Sequence, residues 1–202
     1  MDGCRGGWLV ALDKPARLIL CANFGEVARV TVDCQRVAVD MPIGLPGPGQ
    51  VRQCEREARQ RLGPRRHSIF STPRREFLEA RSFSEVRGMS LQSFHLLPKI
   101  RELDQWISPA SQLRVWEAHP ELIFLRLAGH PLELGKKTPG GQSLRRELLG
   151  HPEWKEYWPS RLVQTDDILD ALALLVCAQE PGSPLGNGQR DERGLLMQIY
   201  GL

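Results

Sequence analysis

Three observations predict a single mixed α/β domain. The chain has 202 residues, within the usual span of one domain. Short apolar or β-branched runs alternate with longer stretches of helical spacing. Two of those runs, 36–41 and 113–118, are set apart by helical segments, as crossover connections require. A chain of this size buries roughly 70% of its unfolded surface, so a full core is available. Hydrophobic residues at 41% and charged residues at 25% are ordinary for a globular domain. They exclude a disordered tail, a collagen-like chain and a disulfide-stapled miniprotein.

The elements follow in order. Gly3, Gly6 and Gly7 loosen the chain and predict a tight turn ahead of Trp8. The runs 8–12 and 17–22, parted by Asp13-Lys14-Pro15, read as an antiparallel hairpin. Residues 24–32 carry helical spacing. The β-branched run 36–41 reads as a buried strand ending at Asp40 and stopped by Pro42. Residues 42–49, rich in proline and glycine, form a loop. Helices are expected over 51–62 and over 91–107, where Pro98 must start, kink or interrupt the second. The run 113–118 is another strand, ending near Glu117. Helices follow over 121–128 and 143–149, with Lys136-Lys137 in the loop between. Thr165 reads as the N-cap of a helix over 166–179. Residues 195–200 suit a final edge strand.

The longest apolar run, Ala171 to Ala178, spans eight residues, far short of the ~20 that cross a bilayer. Residues 1–20 lack a signal-peptide pattern. The five cysteines are odd in number, widely spaced and contain no CxxC pair. Free thiols in a reducing, cytoplasmic setting without membrane contact are therefore expected. The net charge of +3 conceals an asymmetry, since residues 50–82 hold nine arginines against four glutamates. Arginine suits oxyanion recognition through its planar fork. The same excess also follows from GC-rich coding.

Four places put an acid where a metal would use it. Asp2 precedes the first turn, Asp40 and Glu117 end strands, and Asp167 and Asp170 share one face of the last helix. Hard divalent cations want carboxylate oxygens, and Mg²⁺ keeps waters as well. Two such ions about 4 Å apart can activate a water and stabilise the leaving oxygen of a phosphodiester. Plainer roles compete with this reading. An acid at a helix N-terminus serves the dipole, which accounts for Asp166 and in part for Asp167. It accounts poorly for Asp170, which interrupts the apolar stripe of Ile168, Leu169, Leu172 and Leu175. Asp40 can cap a loop, and Glu117 can pair with an arginine.

Several strings, taken together and in order, resemble the DUF429 family over nearly the whole chain. They are Asp2-Gly-Cys-Arg-Gly-Gly-Trp8, Val39-Asp-Met-Pro-Ile-Gly-Leu-Pro46 and Cys54-Glu-Arg-Glu-Ala-Arg59. Leu62-Gly-Pro-Arg-Arg-His-Ser-Ile-Phe70, Pro98-Lys-Ile-Arg-Glu-Leu-Asp104 and Glu117-Ala-His-Pro-Glu121 continue the match. Gly135-Lys-Lys-Thr138 and Asp166-Asp-Ile-Leu-Asp-Ala171 complete it. The resemblance implies a predicted nuclease of the ribonuclease H-like fold: a five-stranded mixed sheet flanked by helices, with metal acids on the first strand, on later strands and on the last helix. The pair Asp167/Asp170 resembles the acidic final helix of Holliday-junction resolvases. One departure stands out. Family members carry apolar residues ahead of the first Asp, where this chain has only Met1, so either the start lies upstream or the central first strand is missing.

The expected protein is a single domain over 1–202 with an Arg-rich insertion around 50–82. It would hydrolyse phosphodiesters of DNA or RNA with Mg²⁺ or Mn²⁺, held by Asp2, Asp40, Glu117 and Asp170, with Asp167 in the catalytic set. Arg52, Arg59, Arg65 and Arg66, with Lys136 and Lys137, would grip the nucleic-acid backbone. A solvated helix face and a plain surface loop are the competing readings for these cations. His119 can orient a water, bind metal or serve structure. His67, His95, His130 and His151 have no partner in the sequence. The rivals are a nucleic-acid-binding module without catalysis and a phosphotransferase of the actin-like or sugar-kinase architecture. The latter is disfavoured by the short chain and by the lack of glycine-rich phosphate loops.

Overall fold

The computed structural model describes residues 1–150 and 160–202, so His151 lies outside the described residues. The chain opens with three antiparallel strands, β1 (Asp2–Cys4), β2 (Gly7–Asp13) and β3 (Ala16–Cys21). The register sets Asp2 opposite Leu9 and Val10 opposite Ile19. Gly7 takes a φ of 128°, and a Cβ there would overlap the Cys21 carbonyl, so the expected turn needs glycine. Helix α1 (Phe24–Val30) is capped by the Asn23 side chain, which accepts from the Glu26 N–H at 3.1 Å. Strand β4 (Val37–Val39) then pairs in parallel with β5 (Val115–Glu117), Val39 facing Glu117.

Between β4 and β5 lie α2 (Gln53–Leu62) and α3 (Leu91–Trp106), joined by short 3-10 turns. Pro98 sits inside α3 rather than ending it. After β5 come α4 (Pro120–Ala128), α5 (Pro139–Leu149) and α6 (Thr165–Gln179). Helix α5 starts four residues before the spacing suggests, because Thr138 caps it and Pro139 opens its first turn. Helix α6 has Gln164, not Thr165, as its N-cap, with the Asp167 carboxylate accepting from the Gln164 N–H at 2.7 Å.

The sheet corrects the fold implied by the family motifs. In place of a five-stranded ribonuclease H-like sheet there are a three-stranded antiparallel sheet and a separate two-stranded parallel sheet. The reason is strand length: β1, β4 and β5 each span three residues. The turn at Arg5–Gly6 ends β1, and β4 and β5 stop ahead of the prolines at 42 and 120. Backbone hydrogen bonds join the two sheets at Met1, whose nitrogen donates to the Ala38 carbonyl at 2.6 Å and whose carbonyl accepts from the Asp40 N–H at 3.2 Å. The first strand is thus present, though short. The expected edge strand at 195–200 is reduced to isolated bridges with three different partners, Leu196 to Arg190, Ile199 to Leu185 and Tyr200 to Ala118.

Alternation along β2 explains the layering. Trp8, Val10 and Leu12 join Val39, Ile100 and Leu103 in one core, on the α3 side. Leu9 and Ala11 join Ala38, Leu169 and Ala173 in another, on the α6 side. A third cluster packs Cys54, Ala58 and Leu62 of α2 against Leu122 and Met197. Ion pairs tie the carboxyl-terminal segment to this frame. Arg75 bridges Asp104 at 2.8 Å and Asp191 at 2.6 Å, and Asp191 also accepts from the Leu45 and Leu195 N–H groups. All five cysteines are unpaired, and no described helix is long and apolar enough to cross a membrane.

Trp8 is fully buried, edge-on to Phe24 at 5.2 Å, and its indole N–H donates to Glu102 at 2.9 Å. Trp8→Ala is expected to cost about 3–5 kcal/mol, read from the urea midpoint at unchanged slope.

Candidate functional site

Three of the sequence-flagged acids gather where strand ends meet the last helix. Asp2 pairs in register with Leu9, which belongs to the α6 layer, so Asp2 faces α6. Asp40 lies two residues beyond Ala38, which packs in the same layer. Asp170 sits on α6 among Leu169, Ala171 and Ala173 and is 2% exposed. Burial pushes the Asp170 carboxyl up to about 6; Lys136 pulls it down, and Asp40 and Glu121 push it further up. Burial also raises Asp2 well above the carboxylate range, with Asp40 and Asp170 adding to it. Like charges gathered out of water account for both.

Lys136 closes this cluster. Its Nζ lies 2.6 Å from Asp170 Oδ2, while the buried Oδ1 has no partner among the described residues. Burial lowers the Lys136 ammonium, but Asp170, Asp2 and Asp40 outweigh it and the net shift is upward. A braced turn presents this lysine. Thr138 Oγ1 donates to the Gly135 carbonyl at 2.9 Å and accepts from the Gly141 N–H at 3.1 Å. A Cβ at Gly141 would overlap the Gly135 carbonyl, so this close approach requires glycine. Arg145, with no exposed surface, donates to the Leu134 and Gly141 carbonyls at 3.1 Å and to Glu121 at 2.6 Å. Sequence reasoning missed Glu121 and Arg145. Their signal was the second acid of Glu117-Ala-His-Pro-Glu121, facing an arginine one helix later.

The other flagged residues lie elsewhere. Glu117 faces Arg52, which is itself buried. Arg52 Nη1 contacts Glu117 Oε1 at 3.0 Å and Glu55 at 3.2 Å, Nη2 makes a short contact to Glu117 Oε2, and the Ile43 N–H donates to Glu117 at 2.8 Å. Asp167 caps α6, as described above. His119 caps α4, its Nδ1 accepting from the Glu121 N–H at 3.2 Å and its Nε2 lying 3.3 Å from the Ser68 carbonyl. That pair of bonds selects the neutral tautomer with hydrogen on Nε2. Arg59 holds Glu55 at 3.0 Å and Arg65 reaches Glu121 at 3.4 Å. Arg66 and Lys137 are exposed. Among the described residues no three of His, Cys, Asp and Glu are grouped closely enough to hold a metal ion by themselves.

These features define an α/β domain with a buried acidic cluster closed by one lysine. The chain belongs to the DUF429 family: the family model described as "Protein of unknown function (DUF429)" matches residues 1–192. No curated protein and no solved structure matches it.

Two outcomes follow from these charges. Arg52→Ala is expected to cost about 3–5 kcal/mol, because Glu117 and Glu55 lose their buried counter-charge. A paired Arg52→Met, Glu117→Leu change should recover most of it in urea titrations. The second outcome concerns pH. The Asp170 carboxyl lies at about 6 in the folded chain against an ordinary 3.8, so the folded state binds this proton more tightly. Its contribution to stability is full below 3.8 and is lost as pH rises through about 6. Urea midpoints across that window should rise toward acid for the wild type more steeply than for Asp170→Asn.

Proposed function

We propose that this protein is a phosphodiester hydrolase acting on nucleic acid, with Asp2, Asp40 and Asp170 as its acidic centre and Lys136 as its cation toward the substrate. The observation that carries the reading is the oxygen of Asp170 that has no partner among the described residues, buried near Asp2, with burial raising both carboxyls. Such an atom calls for a cation or a proton. The donor set suits Mg²⁺ or Mn²⁺ in kind, since Mg²⁺ commonly takes one or two protein carboxylates and completes its shell with waters and substrate phosphate. Asp2 and Asp170 would hold it, with Asp40 beside them. A bound divalent ion supplies an activated water and neutralises charge on the phosphoryl oxygens.

The remaining roles fall to the chain's own groups. Lys136, half-exposed at 40%, offers its ammonium to a phosphate while keeping contact with Asp170. Burial favours the protonated form of the Asp2 and Asp170 carboxyls, so cation uptake there is coupled to proton release. The buried wall of Leu169, Ala171 and Ala38 limits water around the acids. A cytoplasmic setting belongs to the same proposal, supported by the unpaired cysteines. A second reading, a binding module without catalysis, draws on the Lys136–Asp170 pair, which already neutralises one acid.

The test pairs cleavage with Mn²⁺ against binding in EDTA. Asp170→Asn is expected to lower cleavage at least ~100-fold, the order of one lost electrostatic group, while binding persists. Mn²⁺ titrated into the wild type at pH near 6 should release protons, and the Asn variant should release fewer. Wild-type cleavage by the variant would remove Asp170 from the centre. No cleavage by the wild type on single-stranded, duplex or branched substrate would favour the binding module.

A further inference from the structure

A basic groove lies outside the acidic centre. Residues 59–92 enclose a cavity of about 840 Å³ to which Arg59, Arg66, Arg74 and Arg87 contribute and in which no Asp or Glu takes part. Two aromatic rings, Phe70 and Phe77, share the lining. The arginines differ in how far they are engaged. Arg59 is held by Glu55 at 3.0 Å and by Ser71 at 3.1 Å. Arg74 has its guanidinium 4.7 Å from the centroid of the Phe77 ring and a rim pair with Glu76 at 2.9 Å. Arg66 and Arg87 are exposed and have no ion-pair partner among the described residues. Of the other arginines of the basic block, Arg52 is spent on Glu117, Arg65 on Glu121 and Arg75 on Asp104, while Arg56, Arg61 and Arg81 are exposed and lie outside this groove. Arg66 and Arg87 are the unspent cations that stand beside the two rings of this groove.

We propose that this groove binds single-stranded nucleic acid, with Arg66 and Arg87 on phosphates and Phe70 and Phe77 under bases. Single strands expose base faces that duplexes hide, and sites for them combine a basic channel with aromatic platforms. Arg74, already over Phe77, adds its charge to a base stacked there. Inorganic phosphate alone would use the cations and leave the rings idle. Ile69, Phe70 and Thr72 line both this groove and a cavity of about 20 Å³, with room for about one water, whose lining also includes Arg52, Glu55, Glu117 and Asp40. The proposal rests on the hydrolase reading for its substrate class, but binding here needs no metal.

The experiment measures binding of labelled twelve-nucleotide DNA and RNA strands, the matching duplex and inorganic phosphate to the full chain in EDTA, over a range of salt. Both single strands are expected to bind at least ~10-fold tighter than the duplex, and Phe77→Ala to weaken them roughly 5- to 150-fold, the worth of one stacked base. Arg66→Glu with Arg87→Glu should weaken them further and flatten the salt dependence by about 1.4, at about −0.7 per phosphate contact. Far-ultraviolet circular dichroism of each variant checks folding, and the conservative Phe77→Tyr should retain binding. Duplex bound as well as single strands, competition by phosphate at equal strength, or indifference to both arginine reversals would overturn the proposal. Strand binding without cleavage would leave the groove standing and remove only the hydrolase reading.

Discussion

Arg52 is the charge around which the middle of this protein is assembled. Wholly buried, it reaches Glu117 on β5, Glu55 on α2, the Thr72 hydroxyl and the Ile43 carbonyl. The start of α2, the chain at Ile43, the chain at Thr72 and β5 are thereby held to one planar group. The arrangement works because guanidinium has donors in several directions and does not lose its proton. Burial of the ion is repaid only by this number of partners, and removing any of them exposes the full desolvation penalty. The segment that carries the basic groove descends from this anchor, since Thr72 hangs on Arg52 and its N–H on Glu55 at 3.1 Å.

Environment sorts the acids that look alike in the sequence. Glu117 and Asp170 are each buried and each meets a cation. Glu117 has both oxygens engaged, by Arg52 and by the Ile43 N–H. Asp170 has one oxygen engaged by a single flexible amine and the other by nothing among the described residues. A fork that saturates a carboxylate makes a brace, whereas a point charge that half-satisfies one leaves it available. Asp167 lies three residues from Asp170 yet spends its carboxylate on the backbone of Gln164.

Much of this was legible beforehand and some was not, for identifiable reasons. The hairpin around Asp13–Pro15, the strand stopped by Pro42 and the long last helix follow from alternation, proline and apolar spacing, which are local signals. The size of the sheets did not follow, because three-residue strands satisfy the same pattern as longer ones and only tertiary pairing limits them. Asp170 was legible as an acid inside an apolar stripe. Its tie to Lys136 was not, since the two lie 34 residues apart in the chain and no periodicity relates them. Arg52 read as a phosphate contact of the basic segment, with a solvated helix face as the rival reading. Its burial depends on Glu117, 65 residues away.

The Lys136–Asp170 contact has two unequal faces: the lysine side chain is 40% exposed and the aspartate 3%. The solvent meets an ammonium, while the interior holds a surplus of carboxyls. An approaching anion therefore encounters an attractive sign at a place whose inner charge has the opposite one. Acetylation of this one amine, which erases its charge, would remove the positive sign displayed to solvent without touching a single acid.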